Sequence, residues 1–267
     1  MSGVFLRLPD NGSVPPFHEH MRVLSSREGE GIDVTMQTKY MTRNDCFQAG
    51  RTIVPKGIMI HSTATPGVMA ADWFSRWNKS FRKGEMSRQV CVHAFVDDRS
   101  VWQYLPWHHR GWHAGGAANN THIGIEICEP KGFRYDPNGR MTGYRPADQE
   151  AYFRMAWKRT VALAVKLCRE FGLNERAIID HTEGNRQGIA SAHQDVMHWF
   201  PQHKESMDSF RQAVKKELGK SVRLTVRETP KAAGRLYRVQ AGAFSSEARA
   251  KEQIRNLKQA GFDAFLQ

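Results

Sequence analysis

The sequence predicts an α/β protein with a partial β-α-β unit at its C-terminal end. Three observations carry this. Short apolar runs of two-residue period alternate with helical patterns between residues 56 and 219. Phe153, Trp157, Val161, Ala164, Cys168 and Phe171 recur at spacings of three and four, the single apolar stripe of a long helix. RLYRVQAGAF, an amphipathic stretch and FDAFL then give strand, helix and strand once more.

The elements follow in order. KGIMIH is a short strand with Ile58 and Ile60 on one face and Met59 and His61 on the other. Residues 70–81 read as helix. QVCVHAFV alternates, with Val90, Val92, Ala94 and Val96 opposed to Cys91, His93 and Phe95. Asp97-Asp98-Arg99-Ser100 makes a hairpin turn into VWQYL. HIGIEIC sets Ile123, Ile125 and Ile127 against Gly124, Glu126 and Cys128. The long helix spans 147–171 and Gly172 caps it. Ala177-Ile178-Ile179 is a buried strand leading to His181, and 206–218 is the next helix. After a Lys-, Arg- and Thr-containing linker over 219–234, 235–244 is a strand. Residues 245–260 form a helix with Ala248, Ile254 and Leu257 inward; Gly261 ends it and a second strand follows.

Residues 1–35 differ from the rest. Pro9, Pro15, Pro16, several glycines and SSREGEG show no hydrophobic period. They read as a loose arm or as an over-extended start. The second reading comes from the purine-rich codons that Arg27-Glu28-Gly29-Glu30-Gly31 requires shortly before Met36, as in a translated ribosome-binding site.

Composition excludes several classes. The 27 aromatics among 267 residues exclude disorder throughout. No apolar stretch approaches the ~18 residues of a membrane span. Residues 1–10 lack the basic start and apolar stretch of a secretory signal. Four scattered cysteines without a CxxC predict half-buried thiols rather than a disulfide framework. A formal charge of +12 favours an anionic partner. The basic residues are dispersed and form no nucleic-acid motif, and charge alone does not choose among nucleic acid, acidic lipid and polyanionic wall polymers.

The chemistry collects at histidines near strand ends and Gly-rich turns: His61 in IMIHSTATPG, His113 in GWHAGG and His181 in AIIDHTEG. His193 follows in IASAHQD, and Glu126 lies inside an otherwise apolar strand. A carboxylate there costs several kcal/mol unless it faces a polar cleft or a metal. Imidazoles with an open position suit a catalytic zinc, and a nearby carboxylate suits the base that deprotonates its water.

Three motifs, KYMTRNDCFQAGRTIVPKGIMIHSTATPG, GWHAGGAANNTHIGIEICEP and HTEGNRQGIASAHQD, resemble the zinc-dependent type-2 N-acetylmuramoyl-L-alanine amidases. The likeness is to the phage endolysin and sporulation autolysin kind and spans about 36–214. It implies a mixed central β-sheet flanked by helices, with zinc in a groove. It also implies cleavage of the amide between N-acetylmuramic acid and L-alanine in bacterial peptidoglycan. His61 and His181 match two zinc ligands and Glu126 matches the catalytic glutamate. The third ligand, Cys or Asp in the family, falls at His193, with Asp195 next and His198 and His203 as further alternatives. Many relatives carry a Tyr after the histidine matching His93, where this chain has Ala94. Many carry a Lys two residues before the third ligand, which from His193 is Ser191. Both groups serve the oxyanion in those relatives. His113 and Asn120 are expected to contact substrate, His113 alternatively to support the site.

YRVQAGAFSSEARAKEQIRNLKQAGFDAFLQ resembles the first half of the SPOR repeat, which binds peptidoglycan glycan strands. The expected organisation is therefore an arm over 1–35, a zinc amidase domain over 36–218, a linker over 219–234 and a partial SPOR-like segment over 235–267. The expected site of action is the cell wall, reached from the producing cell's cytoplasm by holin- or lysis-type release. A non-catalytic peptidoglycan-binding protein on the same fold is the alternative.

Overall fold

The computed structural model describes residues 2–7, 36–220, 239–244, 247–259 and 263–266. Its elements in chain order are β1 (Ser2–Arg7), β2 (Met36–Thr38), α1 (Asp45–Gln48), β3 (Gly57–Ser62), α2 (Trp73–Trp77), β4 (Ala94–Val96), β5 (Val101–Gln103), β6 (His122–Ile127), β7 (Arg134–Tyr135), β8 (Met141–Thr142), α3 (Pro146–Phe171), β9 (Ile178–Asp180), α4 (His181–Arg186), α5 (Met207–Leu218), β10 (Val239–Phe244), α6 (Glu247–Gln259) and β11 (Asp263–Leu266), with short 3-10 turns between some of them. No described helix is long and apolar enough to cross a membrane. The elements fall into two units, one holding residues 36–220 and the other holding β1 with β10, α6 and β11.

In the larger unit six strands run in the order β2-β5-β4-β6-β3-β9. All neighbours are parallel except β4 and β5, which the Asp97 turn joins as a hairpin. Asp97 Oδ1 accepts the Arg99 and Ser100 amides in that turn. The sheet is thus mixed and mostly parallel, as the family resemblance implies.

Strand alternation decides what each sheet face does. Ile58, Ile60, Ile123, Ile125 and Ile127 pack with Phe153, Val161, Leu167 and Cys168 of α3 and Phe210 and Val214 of α5. Burying each of these large apolar side chains contributes about 1.5–3 kcal/mol. Met59 and Ile179 leave that core for a separate cluster with Ala114 and Ala118. His61 and Glu126 belong by alternation to this second face, away from α3.

α3 starts at Pro146, whose missing N–H costs nothing in the first turn. It stops at Gly172, left-handed at φ 65°, whose N–H donates to the Cys168 carbonyl. The 70–81 helix is shorter than expected: a 3-10 turn over Ala70–Asp72 leads into α2, which ends at Trp77. Asn78 leaves helical geometry, and its side chain accepts the Arg43 amide instead. The QVCVHAFV period holds only from Ala94. Val92 packs with Cys91 and Phe95 rather than with Ala94 and Val96, because two amides, of Tyr104 and Leu105, converge on the His93 carbonyl and break the ladder. All four cysteines are free and fully buried rather than half-buried.

In the smaller unit β1 lies between β10 and β11, antiparallel to both. The loose arm or over-extended start expected for 1–35 does not describe Ser2–Arg7, which is paired on each side; residues 8–35 lie outside the described residues. So do most of the expected linker, at 221–234, and the expected strand start at 235–238.

Candidate metal centre

β3 and β9 are parallel neighbours with Ile60 opposite Asp180, so their C-terminal ends deliver His61 and His181 side by side. Asp180 is the N-cap of α4: its carboxylate accepts the Glu183 amide, and Glu183 Oε2 accepts the Asp180 amide in return. Arg211 from α5 grips Glu183 through two 2.9 Å contacts and donates to the Ile178 carbonyl. This network fixes where α4 begins, and therefore where His181 stands.

The third group is Asp195. Its backbone is left-handed at φ 40°, a conformation that a non-glycine residue adopts at a cost. Asp195 Oδ2 lies 2.9 Å from His61 Nδ1 and 2.8 Å from His181 Nδ1. One ligand atom from each of the three residues fits within 4.8 Å of the others. His61 and His181 are 2% and 4% exposed, so these polar groups converge almost without water.

The outer ring nitrogens decide the tautomers. His113 Nε2 lies 3.2 Å from the His122 carbonyl, which can only accept, so Nε2 carries the hydrogen. Burial pushes the His113 ring well below the usual imidazole range and keeps it neutral, leaving Nδ1 as an acceptor. His61 Nε2 therefore donates to His113 Nδ1 across 2.9 Å. His181 Nε2 likewise donates towards the Ala114 carbonyl at 3.2 Å. In neutral rings this leaves both Nδ1 lone pairs facing a carboxylate oxygen. Three lone-pair donors with no hydrogen among them fit a divalent cation, and two imidazoles with one carboxylate suit zinc.

Without a cation, Nδ1–H groups on His61 and His181 would take its place between the rings and Asp195, and such donors hold the Asp195 carboxyl well below the usual range although burial alone would raise it. Glu126 is opposite to Asp195 in behaviour. It stands beside His61 in the β3–β6 register, and its Oε2 is buried with no hydrogen-bond partner. Burial pushes its carboxyl well up, and the charges of Asp195 and Glu129 add to this.

The other expected site residues are placed as follows. His193 is exposed, with its ring centroid 4.6 Å from that of His181 and its Nδ1 3.1 Å from Ser191 Oγ. It is outside the converging trio, which takes Asp195 as third member. His198 is committed to Glu129 at 3.1 Å and Tyr135 at 2.6 Å. His203 is committed to Glu150 and Tyr144 and stacks on Phe153 at 3.9 Å. His113 backs His61 with both ring nitrogens engaged, so neither is left for substrate. Asn120 is exposed and accepts from Arg110 Nε at 2.6 Å.

Sequence reasoning missed Asn119, whose Oδ1 accepts the His113 and Ala114 amides at 2.8 Å each and so shapes the GWHAGG turn. It also missed Glu129, fully buried, which accepts from the Tyr135 hydroxyl at 2.8 Å. The signal was available in CEP, an acid directly after an apolar strand.

Comparison with known proteins places the chain in a family. Residues 50–203, more than half of the chain, match the family described as N-acetylmuramoyl-L-alanine amidase, and residues 204–267 match the SPOR domain. The Bacillus subtilis (strain 168) amidase XlyA is 38% identical over 84 residues, 30% of this chain and 27% of that one. The amidase CwlH of the same organism is 33% identical over 100 residues, 36% of this chain and 38% of that one. The chain thus spans well under half the length of these curated relatives. The structure of Staphylococcus aureus hydrolase AmiA with its ligand superposes with a TM-score of 0.53 at 17% identity, over 68% of this chain and 82% of that one, a likeness of fold.

Proposed function

The chain belongs to the N-acetylmuramoyl-L-alanine amidase family, and from that premise we propose that it is a peptidoglycan hydrolase cutting the amide between N-acetylmuramic acid and the L-alanine of the stem peptide. We assign Zn2+ to His61, His181 and Asp195, and the acid–base role to Glu126. The observation that most supports this is the convergence of two Nδ1 atoms and one carboxylate oxygen, with both Nε2 hydrogens already spent on other acceptors.

Zinc held there would supply Lewis acidity for the amide carbonyl and for water. Glu126 takes a proton from the attacking water and returns it to the amine nitrogen as the C–N bond breaks. Its raised carboxyl suits a group that must hold that proton briefly and give it back. With Asp195 as third ligand, the place where many relatives carry Lys becomes His193 rather than Ser191. Ser191 Oγ engages its Nδ1, leaving Nε2 to donate to the oxygen on which charge develops. That supplies an oxyanion partner in a chain that has Ala94 where many relatives have Tyr.

The SPOR-matching segment adds retention on the glycan strands of the wall. We place action at the wall after release from the producing cell's cytoplasm. The test is a digest of purified peptidoglycan by the full chain, read for new N-terminal alanine and for new reducing sugar ends. Alanine amines without reducing ends, lost in Glu126→Gln, support the proposal. No release by a zinc-loaded chain that still sediments with the wall would sink it and favour the binding-only reading.

A further inference from the structure

β10 and β11 are parallel strands joined through α6, yet they do not pair with each other. β1 fills the place between them. Its register runs from Ser2 opposite Phe244 to Leu6 opposite Val239 on one side, with an irregularity between Val4 and Phe5. On the other side it runs from Val4 opposite Leu266 to Arg7 opposite Asp263. Val4, Phe5 and Leu6 are therefore paired on both sides, and β1 is the central strand. α6 lies against β1 as well as against its own two strands.

Two strands held one strand apart are roughly 10 Å from each other, too far for any hydrogen bond. Without β1, neither β10 nor β11 keeps a sheet partner among the described residues. Among the described residues, β10, α6 and β11 without β1 are two unpaired strands and one helix, below the roughly 40 residues that a unit needs to fold alone. The SPOR match covers 204–267 and does not reach residues 2–7. The strand between β10 and β11, β1, precedes the amidase-matching residues 50–203, so those residues lie between β1 and β10 in sequence. Val, Phe and Leu at positions 4 to 6 are residues that favour strands.

We propose that Ser2–Arg7 is an integral part of the peptidoglycan-binding unit, which is therefore discontinuous, with the amidase unit inserted into it. The binding function rests on the reading given above; the completion of the sheet does not. Retention on the wall is then encoded on both sides of the amidase unit in sequence.

The test is Leu6→Pro in the full chain, with Leu6→Val as the conservative control. Proline removes the amide of a central strand, a position from which it is excluded. Hydrogen exchange is read at 239–244 and 263–266, together with sedimentation on purified peptidoglycan and cleavage of a soluble muropeptide. In Leu6→Pro, exchange in both segments accelerates about tenfold or more, and the sedimented fraction falls in step. Soluble cleavage stays at the wild-type level and Leu6→Val behaves as wild type. Equal protection in Leu6→Pro and wild type, or none in wild type, would overturn the proposal. Protection that collapses in Leu6→Pro, in a chain whose wild type never sediments, removes the binding reading and keeps the strand assignment. Absence of soluble cleavage in wild type strikes the amidase reading alone.

Discussion

Asp195 and His193 stand two residues apart and are proposed for two different jobs, which substitution separates. Asp195→Asn is expected to lose stoichiometric zinc, measured by metal analysis after gel filtration, because a neutral amide is a weak ligand beside two imidazoles. His193→Ala is expected to keep zinc and to lose roughly 10²-fold in kcat, the usual effect of removing one oxyanion donor. Zinc loss in His193→Ala would reverse the assignment. Glu126 gives a prediction in pH. Its carboxyl is raised in the folded chain, so its contribution to stability is present below the ordinary value of 4.5 and is lost as pH rises through the raised one. In the metal-free chain Glu126→Gln is therefore expected to melt higher than wild type at neutral and alkaline pH. The gap should close below about pH 4; a gap independent of pH would contradict this. The histidines at strand ends and the half-buried Glu126 were legible in sequence because apolar strands make polar intruders conspicuous. The choice of Asp195 over His193 was not. It depends on one left-handed backbone angle, which turns the loop so that the carboxylate and not the imidazole enters the cluster.

Elements position these side chains through close approach. Gly124 on β6 passes so near the site that a Cβ there would lie 2.7 Å from His113 Cγ and from Val92 Cγ2. Gly124→Ala is expected to displace His113, destabilise the fold by about 1–3 kcal/mol and weaken zinc binding by about tenfold or more. Chelator competition and thermal melting measure the two effects, and unchanged zinc affinity would show that His113 is not what orients His61. KGIMIH, HIGIEIC and the 147–171 stripe were readable because alternate residues of each strand serve different faces of the sheet and the helix meets one core along one face, which writes a clean period into the sequence. The helix read over 70–81 was only partly so: it ends early because Asn78 bonds across to Arg43, a partner far away in the chain.

At the scale of the molecule, the family boundaries and the folded units do not coincide. The SPOR match starts at residue 204, but Phe210 and Val214 of α5 are fully buried in the core beneath the catalytic sheet. A chain of residues 30–220 is expected to fold and cleave a soluble muropeptide. One of residues 30–203 is expected to be insoluble or molten, the loss of Phe210 alone costing about 3–5 kcal/mol. Circular dichroism and activity compare them, and a stable, active 30–203 piece would refute the boundary. The β1 pairing escaped sequence reasoning for the opposite reason to α3: its partners lie more than two hundred positions away, and no local pattern records that. It also changes what a protease can do. With Val4 beside Leu266 in one sheet, the polypeptide closes on itself as a ring. A single backbone cut within 221–238 leaves the catalytic unit leashed to the wall-binding sheet through residues 8–35, and a single cut within 8–35 leaves it leashed through the other side. Only a second cut sets it loose, so with the proposed roles of the two units one nick does not separate cleavage from retention on the wall.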